Sequence, residues 1–199
     1  MRVMVLGGYG NFGARISRAL AADPSIDLLV AGRDENKASA FATALNCHAL
    51  GVAVDWQGPH LVRALQAHGV QLLIHTAGPF QGQDYTVAQA CAQAGAHYID
   101  LADGRRFVCD FAAALQAPFA AANRVAITGA STVPALSSAV VDSLCHGWQR
   151  IHTIDICIAP AQTAPRGVAT LEAVLSYCGL PVQLWRSGRW QAATGWGGL

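Results

Sequence analysis

The sequence predicts an α/β fold in which helices cover both faces of a parallel sheet. Three observations carry this. Short β-rich runs alternate with longer helix-compatible runs as far as residue 149. The early strand candidates are apolar throughout, as strands buried on both faces must be. A glycine-rich turn, G-G-Y-G-N-F-G over residues 7–13, separates the first strand candidate from the first helix.

Each element has a local reason. Arg2–Leu6, R-V-M-V-L, is the first strand. Gly10–Ala21 follows as a helix with Phe12, Ile16, Ala19 and Leu20 on one face, and Asp23-Pro24-Ser25 stops it. Asp27–Ala31 is the second strand. Asp34 is placed to cap the second helix, Glu35–Leu45. His48–Val54 is the third strand, and Pro59–Ala67 a short helix with proline near its first position. Gln71–His75 is the fourth strand. The helix Asp84–Ala94 has Gly95 as its stop. His97–Leu101 is the fifth strand. The helix Arg105–Ala117 should break at Pro118. Arg124–Thr128 is the sixth strand, and Pro134–Trp148 a further helix. Six strands joined through helices imply right-handed crossovers and a doubly wound parallel sheet.

The pattern changes after Gln149. Arg150–Ala159 alternates apolar and polar residues, the signature of a half-solvated antiparallel strand. Arg166–Cys178 reads as a helix. Val182–Trp190 and Gln191–Ala193 read as a hairpin turning at Ser187-Gly188. The expected organisation is a dinucleotide-binding domain over residues 1–149 and the beginning of an α+β second domain over 150–199. The final Gly197-Gly198-Leu199 supplies no closing element, so the second domain is expected to be partial.

Composition narrows the function. Hydrophobic residues make up 53% of the chain and charged residues 13%, with a net charge of +1. That is a globular composition with no basic stripe for nucleic acid. No apolar stretch reaches membrane-spanning length, and the N-terminus enters a strand without the parts of a signal peptide. The six cysteines form no C-x-x-C pair. They read as buried free thiols in a cytoplasmic protein rather than as disulfides or metal ligands.

The glycines carry the chemistry. Gly8-Tyr9-Gly10-Asn11-Phe12-Gly13 fits G-x-G-x-x-G, and Gly7, Gly10 and Gly13 fit a second, overlapping spacing. The first glycine permits the tight turn, Gly10 lets backbone approach a pyrophosphate, and Gly13 lets the helix pack close on the strand. The helix start offers N–H groups to the anion. With this context the fold is a Rossmann sheet. About twenty residues on, an NAD site would place an acidic residue against the ribose. Here Ala31-Gly32-Arg33-Asp34 stands instead. Gly32 clears space, Arg33 suits a 2′-phosphate, and Lys37 adds a second charge. This favours NADP. The competing reading gives the ribose to Asp34, leaves Arg33 to solvent and keeps NAD open. The loop Ala77-Gly78-Pro79-Phe80, past the fourth strand, is expected along the cofactor towards the nicotinamide.

These residues bring a family into view. Gly78-Pro79-Phe80, Tyr85, Val87, Ala90-Cys91 and Gly95-Ala96-His97-Tyr98-Ile99-Asp100-Leu101 together resemble the saccharopine dehydrogenase-like NAD(P)-binding family. The resemblance runs from Met1 to about Trp148. Gly129-Ala130-Ser131 is similar to the family's loop after the sixth strand. That loop typically carries Pro-Gly where this chain has Pro134-Ala135. The residues after Leu101, Ala102-Asp103-Gly104, also depart from the family's order. The resemblance implies a two-domain nicotinamide-dependent oxidoreductase acting on a small metabolite, the second domain supplying the substrate pocket and homodimer contacts.

No catalytic residue is assigned from the sequence. His75, Tyr85, Asp100 and Asp103 are candidates near strand ends, and the first three each have a structural reading. His75 reads as a satisfied core histidine, Tyr85 as a packed ring, and Asp100 with His97 as a structural pair, Asp100 bonding backbone amides or capping Arg105. Cys91 reads as core. There is no Tyr-x-x-x-Lys pair, since Lys37 is the only lysine. The expectation is hydride transfer on a C–N or C–O bond. The alternative is a non-catalytic NADP-binding redox sensor.

Overall fold

The computed structural model describes residues 1–45, 48–159, 161–164 and 167–197. Six parallel strands form one sheet: β1 (Arg2–Leu6), β2 (Asp27–Gly32), β3 (Leu50–Ala53), β4 (Leu72–His75), β5 (His97–Asp100) and β6 (Ala126–Ile127). Their order is β3-β2-β1-β4-β5-β6. This is the doubly wound order, in which chain direction across the sheet reverses between β1 and β4. The register aligns Leu6 with Ala31 and with His75, and His75 with Asp100. The carboxyl ends of the central strands therefore lie along one edge, where ligands bind in such sheets.

Alternate strand residues feed two cores, one on each face. Val3, Val5, Leu28, Val30 and Ile74 pack with Ile16 and Leu20 of α1 (Gly13–Ala21) and with Ala42 of α2 (Glu35–Ala44). Met4, Leu6, Leu29, Ala31 and Leu73 pack with α3 (Leu61–Ala67), α4 (Thr86–Ala94) and α5 (Arg105–Ala121). The central strands β1, β2 and β4 are buried along almost their whole length because both of their sides are covered.

Caps match the sequence. The Asp34 side chain accepts the Lys37 backbone N–H, closing the first turn of α2. Gly95 ends α4 with φ +74°, the left-handed conformation a side chain resists.

Pro118 does not end α5, which continues to Ala121. Phe107, Phe111, Leu115 and Phe119 are all buried at fourfold spacing, so the apolar stripe runs on past the proline. Packing of that stripe outweighs the roughly 3 kcal/mol that proline costs a helix interior. The helix expected over Pro134–Trp148 is shorter. A helical turn, Thr132–Leu136, is broken by extended Val133, and α6 covers only Ser137–Leu144.

The strand expected at Arg150–Ala159 is absent; those residues take no regular structure and are exposed throughout. Within the described residues the next helix, α7, is Val168–Leu175; Arg166, where it was expected to begin, lies outside them, as do Gly198 and Leu199. The hairpin is present, β7 (Pro181–Arg186) against antiparallel β8 (Arg189–Thr194). Ser187 and Gly188 both have positive φ, 52° and 73°. That pair of angles is the two-residue turn whose twist matches its strands. Arg105 joins α5 to this later segment: its N–H donates to the hydroxyl of Tyr177, just after α7, at 3.2 Å, and its guanidinium lies 5.0 Å from the ring centre of Trp190 in the hairpin.

The thiols need one correction. Cys91 is buried, but Cys109, Cys157 and Cys178 are exposed, and Cys47 lies outside the described residues. Cys109 falls off the buried stripe of α5, and Cys157 sits on the unpaired segment after Arg150. All five described cysteines are free.

Candidate functional site

A cleft of about 730 Å³ opens at the carboxyl edge of the sheet. Its walls are the glycine turn (Gly7, Tyr9, Gly10), the end of β2 (Gly32, Arg33), the loop after β3 (Val54, Trp56, Gln57) and the loop after β4 (Ala77, Gly78, Pro79, Gln83). The volume suits a sizeable organic ligand, and the place is the switch point of the sheet.

The glycines divide their work. Gly7 has φ +79° and makes the turn, its N–H donating to the Ala31 carbonyl at 2.8 Å. Gly8 faces inwards, where a Cβ would stand 2.7 Å from the Val5 carbonyl oxygen and 3.0 Å from Val30. Gly13 is tighter: a Cβ would stand 2.1 Å from the Gly7 oxygen and 2.7 Å from Thr76 Oγ1. Gly10 lines the cleft, and a Cβ there would meet only the Gly7 oxygen, at 3.1 Å. Gly10 is thus the position where absence of a side chain opens the cleft, whereas Gly8 and Gly13 let the turn pack on the fold.

Gly32 does clear space, but for Tyr9. A Cβ on Gly32 would lie 2.5 to 2.7 Å from atoms of the Tyr9 ring. The Tyr9 hydroxyl accepts the Asp34 N–H at 3.2 Å. This bond pins the corner that carries Arg33.

Arg33 is exposed, lines the cleft, and has no ion-pair partner among the described residues. Asp34 is committed elsewhere. Its Oδ1 accepts the Lys37 N–H at 3.0 Å, and its Oδ2 lies 3.3 Å from Lys37 Nζ. The Lys37 N–H holds the Asp34 carboxyl below its ordinary range. The residue that could have taken a ribose hydroxyl is capping α2, and Lys37 is paired with it outside the cleft. Asn11, Phe12, Gly13 and Phe80, also expected at the cofactor, do not line the cleft; Phe80 is buried against His75 and Phe107.

Two wall residues, Trp56 and Gln83, carry no motif. Their one signal in the sequence is place: each follows the carboxyl end of a strand predicted to face the ligand. Gln83 donates to the carbonyls of Ala77 and Pro79, both at 2.8 Å, and its Oε1 meets His75 Nε2 at 3.1 Å.

Each titratable candidate makes a hydrogen bond within the chain. His75 is 1% exposed, and burial lowers its pKa to about 4, so it is neutral at ordinary pH. Tyr85 donates to the Phe107 carbonyl at 2.9 Å and packs on Phe107 and Phe111. Asp103 accepts from Gln81 at 3.0 Å, and His97 Nδ1 accepts the Val125 N–H at 3.0 Å.

Asp100 does not cap Arg105. Its Oδ1 accepts from the N–H groups of Ala102 and Gly129 and from the Thr128 hydroxyl, at 2.8 to 2.9 Å, tying β5 to the loop after β6. Burial raises its pKa, and those bonds oppose the rise. The Tyr98 hydroxyl is close enough to bear on that titration, but it and Asp100 Oδ2 make no well-aligned hydrogen bond.

The cradle fits a dinucleotide: a glycine position open to the cleft, a turn at a helix start, and an unpaired guanidinium one strand away. Among the described residues no group of three or more His, Cys, Asp or Glu side chains could hold a metal, and no helix is long and apolar enough to cross a membrane.

Comparison with known proteins agrees. Residues 3–127 match the family model of the saccharopine dehydrogenase NADP binding domain. The carboxyaminopropylagmatine dehydrogenase of Synechocystis sp. is 28% identical over 177 residues, which covers 85% of this chain and 44% of that protein. The chain thus spans less than half the length of this curated relative. An apo saccharopine dehydrogenase (L-Glu forming) from Saccharomyces cerevisiae superposes with a TM-score of 0.54 at 16% identity, over 73% of this chain and 31% of the other. A 3-hydroxyacyl-CoA dehydrogenase type-2 from Mycobacterium avium gives 0.52 at 16% identity, over 64% and 71%. At such identity the two structures share the fold.

Proposed function

The chain belongs to the saccharopine dehydrogenase NADP-binding family, and from that premise we propose that its cleft holds NADP(H) for a dehydrogenase acting on a C–N or C–O bond of a small metabolite. One observation carries the choice of cofactor. Arg33 reaches the cleft unpaired, while the neighbouring carboxylate of Asp34 is engaged at the start of α2. An unengaged guanidinium suits a 2′-phosphate, and a carboxylate already bonded to an N–H and an ammonium is a poor acceptor for a ribose hydroxyl.

The residues then take roles. Gly10 and the start of α1 hold the pyrophosphate, Arg33 takes the 2′-phosphate, Trp56 and Gln57 border the cleft beside it, and Ala77-Gly78-Pro79 lies towards the nicotinamide. Bound NADPH supplies the hydride; the chain orients it and excludes water along one side. Residues 1–149 form the dinucleotide-binding domain. Residues 150–199 begin the domain that supplies substrate contacts and a dimer surface. The exposure of Ile154, Ile156 and Ile158, at 55, 56 and 60%, supports a covering partner there.

Titration of the 199-residue chain with NADPH and NADH, followed by tryptophan fluorescence, tests the cofactor. NADPH should bind more tightly. If neither binds at millimolar levels, the reading fails. Loss of NADPH absorbance over a panel of small imines and ketones, or gain of it from NADP+ with their reduced partners, tests the reaction. Binding by the full-length protein without turnover on any of them would leave NADP recognition standing and remove the dehydrogenase.

A further inference from the structure

The loop after β4 is fixed by a relay of two side chains. The Ala77 N–H donates to His75 Nδ1 at 3.3 Å. With Nδ1 accepting, the ring's proton sits on Nε2, which donates to Gln83 Oε1 at 3.1 Å. The Gln83 amide nitrogen then donates to the carbonyls of Ala77 and Pro79. The amide has one orientation available, because turning it over would set its oxygen against two carbonyl oxygens and its NH₂ against the Nε2–H.

This relay decides what the loop offers a ligand. The Ala77 N–H and the carbonyls of Ala77 and Pro79 are all engaged, and Pro79 has no N–H. Among the described residues, no hydrogen bond involves the N–H or the C=O of Gly78. Gly78 lines the cleft. A free donor and a free acceptor on one residue suit a group with an acceptor and a donor side by side, as in a primary carboxamide.

We infer that Gln83 is a positioning residue for the cofactor: with His75 it holds the Ala77–Pro79 loop so that Gly78 alone presents its peptide groups to the carboxamide end of the dinucleotide. This rests on the assignment of the cleft to NADP(H). Gln83 does its work on the loop's backbone.

Two variants at opposite ends of the relay test it, Gln83→Met and His75→Phe, each keeping bulk and losing the hydrogen bonds. Binding is measured for NADPH and for adenosine 2′,5′-bisphosphate, which carries the 2′-phosphate half and lacks the nicotinamide. Either variant should weaken NADPH about tenfold, the equivalent of one hydrogen bond, and leave the bisphosphate within about twofold of wild type. Thermal melting establishes folding, and Gln83→Met, at the half-buried end of the relay, stands alone should His75→Phe fail to fold. A wild-type chain that binds neither ligand refutes the cleft assignment and the positioning role with it. A wild-type chain that binds both, with variants that bind NADPH unchanged or lose both ligands in parallel, refutes the positioning role alone.

Discussion

Replacing Gly13 by alanine should damage the fold, whereas the same change at Gly10 should damage only the cleft. At Gly13 the new methyl would stand 2.1 Å from the Gly7 carbonyl oxygen, more than 1 Å short of an ordinary 3.4 Å contact. Neither neighbour can step aside. The Gly7 oxygen accepts the Gly10 N–H at 2.8 Å, and Thr76 Oγ1, 2.7 Å from the methyl, donates to the Leu6 carbonyl at 2.8 Å. Overpacking of about 1–3 kcal/mol and a strained turn bond of about 1 kcal/mol outweigh the roughly 1 kcal/mol that alanine adds to a helix. A net loss of about 1–3 kcal/mol lowers the melting temperature by about 2–12 °C in a domain of this size. At Gly10 the methyl meets only the Gly7 oxygen at 3.1 Å, a contact that a small shift relieves. Reduced freedom of the unfolded chain offsets it, by about 0.4–1 kcal/mol. Gly10→Ala should therefore melt within about 4 °C of wild type yet bind NADPH at least about tenfold more weakly. Paired melts and titrations of the two variants decide the matter. If Gly10→Ala melts as low as Gly13→Ala, or binds NADPH as wild type does, the division of labour among the glycines is wrong.

Arg33→Ala should weaken NADPH by about tenfold to a hundredfold, the loss of a charge-assisted hydrogen bond, with NADH unchanged; an unaltered NADPH-to-NADH ratio would remove Arg33 from the 2′-phosphate. Gly32→Ala should push the Tyr9 ring off the β2 corner and weaken NADPH too, and combining it with Tyr9→Ala should add little further loss, because the clash is with that ring; strict additivity would contradict this. Acid should destabilise the chain through His75. Its folded pKa of about 4 lies below the 6.5 of the exposed group, so the unfolded chain binds the extra proton, and stability complete above pH 6.5 falls as the pH drops towards 4. The loss is on the order of 3 kcal/mol. Asp100, whose raised pKa acts in the opposite sense, is common to both proteins when wild type and His75→Phe are melted across that range. A His75→Phe chain with the same acid profile as wild type would refute the assignment.

How much of this was legible in the sequence follows from how local each cause is. Strands β1, β2 and β4 could be read because both faces of each are covered, so each is a largely apolar run. The role of Asp34 could be read because capping acts over three residues. Pro118 misled because its cost is local while its compensation is not: Phe119 packs on a sheet built from residues far away in the chain. Gly32 was read as clearing space, but the occupant could not be named, since nothing in the spacing says that Tyr9 turns back over β2. Gln83 escaped notice for the same reason. Its partners are two carbonyls and a ring nitrogen whose directions exist only once the loop is folded.

The stretch from Arg150 to Ala159 failed in a more instructive way. Alternating apolar and polar residues states which face of an extended chain would be buried, if one is. It says nothing about a neighbour. A strand also needs a second backbone to satisfy its N–H and C=O groups, and among the described residues none lies beside Ile151–Ile158. The hairpin β7–β8 shows the contrast. There the turn residues Ser187 and Gly188 bring the partner strand back at once, so pattern and pairing arrive together. Period-two alternation therefore predicts a strand reliably only where the sequence also names what it pairs with, and the segment after Gln149 carries the first half of that instruction alone.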